Sequence, residues 1–222
     1  MNKSSKIDRV GVELEGGWKQ NRPQQKHMHG DSSVEIPNYE EFCYDEDGDF
    51  DMCGEIASSP FASLHHLSRW IRESYPDTTN ASCGLHIHIS TKKQEDYALL
   101  MHKKFYNIFL VAMEKWGQRH CSSRSSEDRS FWARFKGNND FCVREHYPIS
   151  QIKGQDDKYT QLNFCSWREH RTLECRLFPA FKTVDKSISG TAFFIRLVDN
   201  YLRTMKPNDY TKKYLQIINP RV

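Results

Sequence analysis

Four short segments of the chain alternate apolar and polar residues. They are residues 10–15 (VGVELE), 84–90 (GLHIHIS), 161–164 (QLNF) and 172–178 (TLECRLF). Successive side chains of a β-strand point to opposite faces, so an alternation with a period of two is typical of a strand with one buried face. The pattern therefore predicts four strands, each with an apolar and a polar face.

Three other segments repeat their apolar residues with the spacing of an α-helix. The spacing predicts a first helix over residues 62–75 and a third over residues 190–205. The second helix is predicted to begin after a cap at Ser90 or Thr91 and to run to about Trp116. Gly117 is expected to end the second helix. Two polar segments, 37–51 (PNYEEFCYDEDGDFD) and 118–129 (QRHCSSRSSEDR), show neither period and are expected to be surface loops.

Composition and charge exclude several classes of protein. Hydrophobic residues make up 37% of the 222 and aromatic residues 13%, which is enough for a core and excludes intrinsic disorder for most of the chain. No apolar run approaches the ~18–20 residues of a membrane-spanning helix, so we expect a soluble, cytoplasmic protein without membrane partners. No repeat or linker divides the chain, which predicts one domain over residues 1–222. A net charge of +3 is too small to indicate nucleic-acid binding.

The cysteines and glycines match no common motif. The seven cysteines are scattered and never spaced C-x-x-C, so we expect reduced thiols rather than a disulfide framework or a zinc ribbon. Neither a G-x-x-x-x-G-K phosphate loop nor a G-x-S-x-G elbow occurs. P-loop nucleotide hydrolases and serine hydrolases are therefore excluded at the level of motifs.

The polar faces of three predicted strands carry groups that bind metal ions and anions. Residues two apart on a strand project to the same side. The three pairs are Glu13 with Glu15, His86 with His88, and Glu174 with Arg176. Carboxylates with an imidazole suit Mg²⁺ or Mn²⁺, and an arginine can neutralise charge on a transferred phosphoryl group. The set favours metal-dependent phosphate chemistry, with ligands enough for two ions.

Other interpretations of these residues are open on the sequence alone. Each pair is also typical of a solvent-exposed strand face or a surface ion pair, and Cys83 with His86 could belong to a zinc site. The ligand set fits a metal-dependent phosphodiester hydrolase or nuclease as well as an ATP-using enzyme. A third candidate is a protein that binds ATP with Mg²⁺ and does not turn it over.

Several motifs follow one another in the order of a known family. GVELEG, HGDSSVE with GEIASSP, CGLHIHIS, QLNF and TLECRLFPAF lie between residues 10 and 181. In this order they resemble the amidoligase family, which are small carboxylate–amine ligases of the superfamily that includes glutamine synthetase and glutamate–cysteine ligase. Glutamine synthetases carry similar Gly-x-His-x-His-x-Ser and Glu-x-Arg strands.

The resemblance implies an ATP-dependent ligase with an α+β fold. Its glutamine-synthetase-like curved antiparallel sheet would carry the site on the concave face and the helices on the convex face. One Mg²⁺ or Mn²⁺ bridging the ATP phosphates would be held by Glu13, His86 and Glu174. A second ion would be held by Glu15 and Glu55 with Asp31, or with Glu35 in its place.

The resemblance also implies roles for the residues around these ions. Glu174 and Arg176 would be catalytic, with Arg176 facing the carboxylate or the acyl-phosphate, while His88, Asn163 and Arg171 would bind the nucleotide or substrate. The expected partner is a small molecule or peptide with a carboxylate and an amine. The rim of the site is predicted to be partly basic, which would suit an acidic substrate, and to include Trp18, His27, His29, Arg168 and Arg171.

Overall fold

The computed structural model describes residues 5–18, 28–30, 34, 43–44, 50–51, 54–154, 157–206 and 208–218. Asp31 and Glu35, the two alternatives for the second ion, lie outside the described residues, as does His27 of the expected rim. Most of the acidic segment 37–51 also lies outside them.

An antiparallel open sheet forms the centre of the molecule. The strands are β1 (Ile7–Gly16), β2 (Met28–Gly30), β3 (Cys43–Tyr44), β4 (Phe50–Asp51), β5 (Gly54–Ala57), β6 (Gly84–Thr91), β7 (Leu162–Asn163) and β8 (Leu173–Pro179). Six of them pair in the order β2-β5-β1-β6-β8-β7, and β3 pairs with β4 separately. The four strands predicted from alternation are confirmed as β1, β6, β7 and β8.

Eight helices occur in the described residues. They are α1 (Leu64–Ser74), α2 (Gln94–Leu100), α3 (Lys103–His120), α4 (Ser126–Lys136), α5 (Pro148–Ile152), α6 (Ser166–His170), α7 (Val184–Thr204) and α8 (Asp209–Ile218). The first predicted helix is confirmed as α1. The third is confirmed as α7, except that it begins at Val184, six residues earlier than predicted. None of the helices in the described residues is long and apolar enough to cross a membrane.

The second predicted helix is wrong in two respects. It is broken at Met101 and His102, where the His102 ring accepts a hydrogen bond from the Lys104 backbone N–H and caps α3. Gly117 does not end it, because α3 continues to His120. Gly117 serves a different purpose: a Cβ at this position would collide with the Phe131 ring of α4. The segment 118–129, expected to be a loop, accordingly contains the end of α3 and the start of α4.

The apolar faces of the central strands are buried, as the alternation predicts. Helix α1 contacts β1, α2 and α7 contact β6, and α4 and α7 contact β8. The buried residues of these strands include Val10, Val12, Leu14, Leu85, Ile87, Ile89, Leu173 and Cys175. This packing fixes three strands side by side and thereby sets the register of the polar residues that alternate with the core.

A β-bulge interrupts the pairing of β6 with β8. Leu85 pairs with Phe178, but Ile87 pairs with Cys175, so Arg176 and Leu177 together lie opposite His86. Beyond the bulge, the Phe178 ring packs edge-on against Trp116 of α3 with centroids 5.3 Å apart. Bulges bend a strand and re-aim its side chains. Here the bulge lies at Arg176, one of the residues predicted to act on the substrate.

Candidate metal and nucleotide site

Strand register brings the predicted polar residues together across the sheet. Glu13 pairs with His86, and His88 lies between Gly11 of β1 and Glu174 of β8. Asn163 of β7 pairs with Glu174 on its other side. Glu15 pairs with Glu55 of β5, and Glu55 pairs in turn with His29 of β2. Strands β1, β5, β6, β7 and β8 therefore contribute carboxylate, imidazole and amide groups to one region of the sheet, and the backbone pairing of β2 places His29 at its edge.

His86 lies among three carboxylates. Its Nδ1 is 3.1 Å from Glu13 Oε2 and 3.6 Å from Glu174 Oε1, and its Nε2 is 3.3 Å from Glu15 Oε1. The side chain is 1% exposed. Nε2 is a buried atom without an aligned hydrogen-bond partner despite the nearby Glu15 oxygen.

His88 is held from both ends of its ring. Nε2 lies 2.9 Å from Glu13 Oε1, although it also lacks hydrogen-bond alignment. Nδ1 lies 3.2 Å from the Thr172 hydroxyl and 3.4 Å from the Ser166 hydroxyl. Glu13 thus reaches both histidines, one with each of its oxygens.

Glu174 and Arg176 form a buried ion pair on β8. Arg176 Nη1 donates to Glu174 Oε1 at 2.6 Å, and Asn163 Nδ2 donates to Glu174 Oε2 at 2.5 Å. Arg176 is held further by Nε donating to the Phe141 carbonyl at 3.4 Å and by stacking over the Tyr159 ring, 5.5 Å from its centroid. The guanidinium therefore has a fixed place beside the carboxylate cluster.

Glu15 fixes the start of β6. One of its oxygens accepts the Gly84 backbone N–H, and the residue is buried. A Cβ on Gly84 would lie 2.5 Å from His86 Nε2 and 3.0 Å from Glu15 Oε2, so only glycine leaves room for these two side chains.

The cluster is electrostatically suited to cations. Burial alone would raise the pKa of Glu13, but His86 and His88 outweigh it and hold that pKa well below its usual range. Burial likewise opposes ionisation of Glu174, whereas Arg176 and then the two histidines lower its pKa. Burial would depress the pKa of His88, but Glu13, Glu174 and Glu55 raise it to about 9. The carboxylates are kept ionised by positive charge placed beside them, which a divalent cation would also supply.

Two groups of three residues have the spacing of a metal site. In each group the candidate ligand atoms lie within 4.8 Å of one another. The groups are Glu13 with His88 and Glu174, and Glu13 with Glu55 and His86. Glu13 belongs to both. Oxygen-rich sets with one imidazole fit Mg²⁺ or Mn²⁺ better than the thiolate sites that zinc prefers.

Two cavities meet at this cluster and share Glu13, His88 and His170. The β1 cavity, of about 590 Å³, is lined on one side by Val10, Gly11, Val12, Ala57 and Pro60, and also by Arg171. The polar cavity, of about 490 Å³, is lined by Lys158, Tyr159, Asn163, Arg168, Glu174 and Arg176. Each has the size of a small-molecule site.

The expected rim residues have different locations. Trp18 is not at the rim: it is 0% exposed, and its indole N–H donates to the Ser74 carbonyl at 2.8 Å. Arg168 lines the polar cavity and Arg171 lines the β1 cavity. Arg171 has a left-handed backbone, with φ 57°, that turns the chain from α6 into β8.

The two amides on the predicted polar face of residues 161–164 have different partners. Asn163 reaches Glu174, whereas Gln161 donates to the Arg134 and Phe135 carbonyls at the end of α4. Sequence reasoning also missed Gly11, Lys158, Tyr159 and Ser166, which line the cavities. Gly11 stands on the polar face of an alternating strand, which was a usable signal; Lys158 and Tyr159 lie outside the strands and gave none.

Comparison with known proteins gives little beyond this geometry. Neither the known protein families nor the curated proteins contain a match to this chain. Among solved structures, the chain is similar to a bifunctional glutathione synthetase from Pasteurella multocida, with a TM-score of 0.42 and 11% sequence identity. The similarity covers 96% of this chain and 41% of the glutathione synthetase chain. This chain therefore spans about two fifths of the length of that synthetase.

Proposed function

We propose that this protein is an ATP-dependent carboxylate–amine ligase that forms an amide or peptide bond through an acyl-phosphate. The observation that carries the proposal is the meeting of two cavities at an ionised carboxylate–imidazole cluster, with Arg176 on one side of it. A ligase of this kind must hold a nucleotide and an acid on opposite sides of the phosphoryl group that passes between them. The amidoligase motifs and the antiparallel sheet support the same proposal. It includes the expectation that the sheet is glutamine-synthetase-like and carries the site on its concave face.

Divalent cations would be held by the two groups that share Glu13. When bound, Mg²⁺ or Mn²⁺ would neutralise the phosphate oxygens of ATP. Glu13, His88 and Glu174 would form one set, and Glu13, Glu55 and His86 the other. Glu15 would orient His86 and the start of β6, since its oxygens lie beside His86 Nε2 and the Gly84 N–H.

The β1 cavity suits the nucleoside and the polar cavity suits the acid. Ala57 and Pro60 give the first exposed apolar side chains, and Gly11 leaves its floor without a side chain. Lys158, Arg168 and Arg176 give the second three cationic groups. A guanidinium binds a carboxylate or phosphate through two parallel hydrogen bonds, which orients the acid toward the cluster.

The proposed reaction has two steps. A carboxylate oxygen of the acid attacks the γ-phosphorus of ATP, the bond to the β–γ bridging oxygen breaks, and ADP leaves. The amine nitrogen then attacks the acyl carbon, loses a proton, and expels inorganic phosphate. Arg176 would stabilise the negative charge that develops on the transferred group. Pre-set charges of this kind are the main means by which such sites accelerate phosphoryl transfer.

Mass spectrometry of candidate acids and amines incubated with the protein, ATP and Mg²⁺ tests the proposal. We expect one pair to yield a product lighter than its components by one water, together with ADP and phosphate. Arg176→Lys should abolish the product, and Arg119→Lys on the exposed surface of α3 should not. Metal-dependent cleavage of a phosphodiester without ATP would contradict the proposal. So would tight ATP binding with no ADP formed for any pair of acid and amine.

A further inference from the structure

Arg134 of α4 is a fully buried arginine that lies outside the candidate site. Its side chain is 0% exposed, and no ion pair joins it to a carboxylate within the described residues. Nη1 donates to the Arg176 carbonyl at 3.2 Å, and Nη2 donates to the Ser82 carbonyl at 2.9 Å. Burying a charge without a close counter-charge is costly, and burial lowers the pKa of Arg134. The guanidinium thereby joins β8 to the segment just before β6.

One of the two carbonyls lies just before β6 begins, and the other lies in the β8 bulge. Ser82 lies two residues before Gly84, whose backbone N–H donates to a Glu15 carboxylate oxygen. The Arg176 carbonyl lies in the bulge where β8 slips by one residue against β6. In this bulge the Arg176 N–H donates to the Gln161 carbonyl at 3.1 Å. Arg134 supplies a donor where the regular ladder is interrupted.

The helix that carries Arg134 is itself tied to the same region. Gln161 Nε2 donates to the Arg134 and Phe135 carbonyls, each at 2.8 Å. Phe131, one turn earlier on α4, packs against Phe178 just beyond the bulge with ring centroids 6.2 Å apart. The backbone and the side chain of Arg134 are therefore both fixed relative to β8.

We infer that Arg134 is a positioning residue, which holds the β8 bulge so that the Arg176 guanidinium points into the polar cavity. Glu174, Phe141 and Tyr159 hold the head of Arg176, whereas Arg134 holds the backbone from which it projects. The role assigned to Arg176 in binding the acid rests on the proposed function. The geometric claim about Arg134 does not.

Anion and metal binding test the inference without requiring turnover. Inorganic phosphate serves as the probe for the polar cavity and Mn²⁺ as the probe for the carboxylate cluster, both followed by calorimetry. Arg134→Met should weaken phosphate binding about tenfold and change Mn²⁺ affinity less than twofold. Arg134→Lys keeps the charge but loses the planar guanidinium that donates to two carbonyls. Its phosphate affinity should lie between those of the wild type and Arg134→Met. Arg129→Met, on the exposed side of the same helix, should match the wild type.

A second variant separates positioning from general stability. If Arg134 acts through Arg176, then adding Arg134→Met to Arg176→Lys should not weaken phosphate binding further. Phenylglyoxal labelling of Arg176, measured by mass spectrometry, needs no ligand and should become several-fold faster in Arg134→Met alone.

Four results would overturn the inference. The first is that Arg134→Met weakens phosphate binding as much in Arg176→Lys as in the wild type, and the second is that it weakens phosphate and Mn²⁺ binding equally. The others are an unchanged rate of Arg176 labelling and failure of both Arg134 variants to fold. Absence of ATP turnover in the wild type would remove the proposed function and leave the labelling result to decide the role of Arg134.

Discussion

Both faces of β6 contain fully buried residues, but for opposite reasons. Leu85, Ile87 and Ile89 are completely buried among apolar side chains. His86 is as buried as they are, at 1% exposure, yet charged or polar groups from β1, β5 and β8 surround it. Apolar burial stabilises the fold, whereas buried ionised groups cost free energy unless each is paired. The first face stabilises the fold, and the second carries the groups that we propose bind a divalent cation.

The largest expected effect comes from Glu174, on the polar face of β8, the strand next to β6. Glu174→Gln keeps the shape and the oxygen that accepts from Arg176, but it removes a charge from the cluster. We expect ATP turnover to fall by on the order of 10²–10³. The variant should still fold, with a lower midpoint of urea denaturation because Arg176 loses its buried counter-charge. Glu114→Gln, an exposed glutamate of α3, is the matched control. Wild-type turnover in Glu174→Gln would place the active site elsewhere.

Ile87, on the apolar face of β6, should show the reverse behaviour. Ile87→Ala removes buried apolar volume from a position that is 0% exposed, so the free energy of unfolding should fall by about 2–4 kcal/mol. Mn²⁺ affinity of the folded variant should stay within about twofold of the wild type. Ile108→Ala, at a position that is 37% exposed on α3, should cost much less. A loss of metal affinity in Ile87→Ala as large as its loss of stability would remove the distinction between the faces.

Two glycines sharpen the division within the polar face. Gly84→Ala would push a Cβ against His86 Nε2 and should weaken Mn²⁺ binding about tenfold. Gly11→Ala meets only Ser58 and His88 at ordinary contact distances, 3.5 Å or more, and narrows the β1 cavity instead. It should weaken binding of ATP and leave Mn²⁺ affinity unchanged. If the two variants had the same effects, the metal cluster and the β1 cavity would not be separate parts of the site.

The smallest effect concerns His146, a histidine outside the site. Its ring stacks on Tyr106 with centroids 4.9 Å apart, and burial, followed by the charges of Lys103 and His102, lowers its pKa to about 4. The unfolded chain binds a proton at a pKa near 6.5 while the folded chain does not, so this residue destabilises the protein progressively as pH falls from about 6.5 to 4. The loss should be on the order of 1–2 kcal/mol.

His146→Gln should remove this part of the pH dependence of unfolding. Urea denaturation between pH 7 and 4.5 gives the free energy of unfolding of the variant and of the wild type at each pH. The difference between the two isolates the contribution of His146, because the titration of other groups cancels. His66→Gln, at an exposed position of α1, should keep the wild-type slope. Identical slopes in the two variants would show that His146 takes up its proton as readily in the folded chain as in the unfolded one.

Local pattern predicted most of the central sheet and failed where structure depends on distant contacts. Alternation located β1, β6 and β8 because each is long enough to repeat its period. Strand β5 has only four residues, so Glu55 came from the family resemblance alone. The apolar spacing continues across α2 and α3, which concealed the break that the His102 side chain caps.

The site was predictable in its residue types and less so in its grouping. The pairs Glu13 with Glu15 and His86 with His88 share a face because of strand geometry, which the sequence encodes directly. Which histidine approaches which carboxylate depends on cross-strand register and on the bulge in β8, neither of which is local. Trp18 was misplaced for a related reason: its polar atom finds a backbone carbonyl of α1, a helix distant in the chain.

A Mn²⁺ titration of the wild type and Glu13→Gln tests the central claim most directly, because Glu13 belongs to both candidate ligand groups. Calorimetry should show saturable binding to the wild type and at least a tenfold loss of affinity in Glu13→Gln, with Glu114→Gln unchanged. No binding to the wild type, or equal binding to the wild type and Glu13→Gln, would show that the buried polar face is not a metal site.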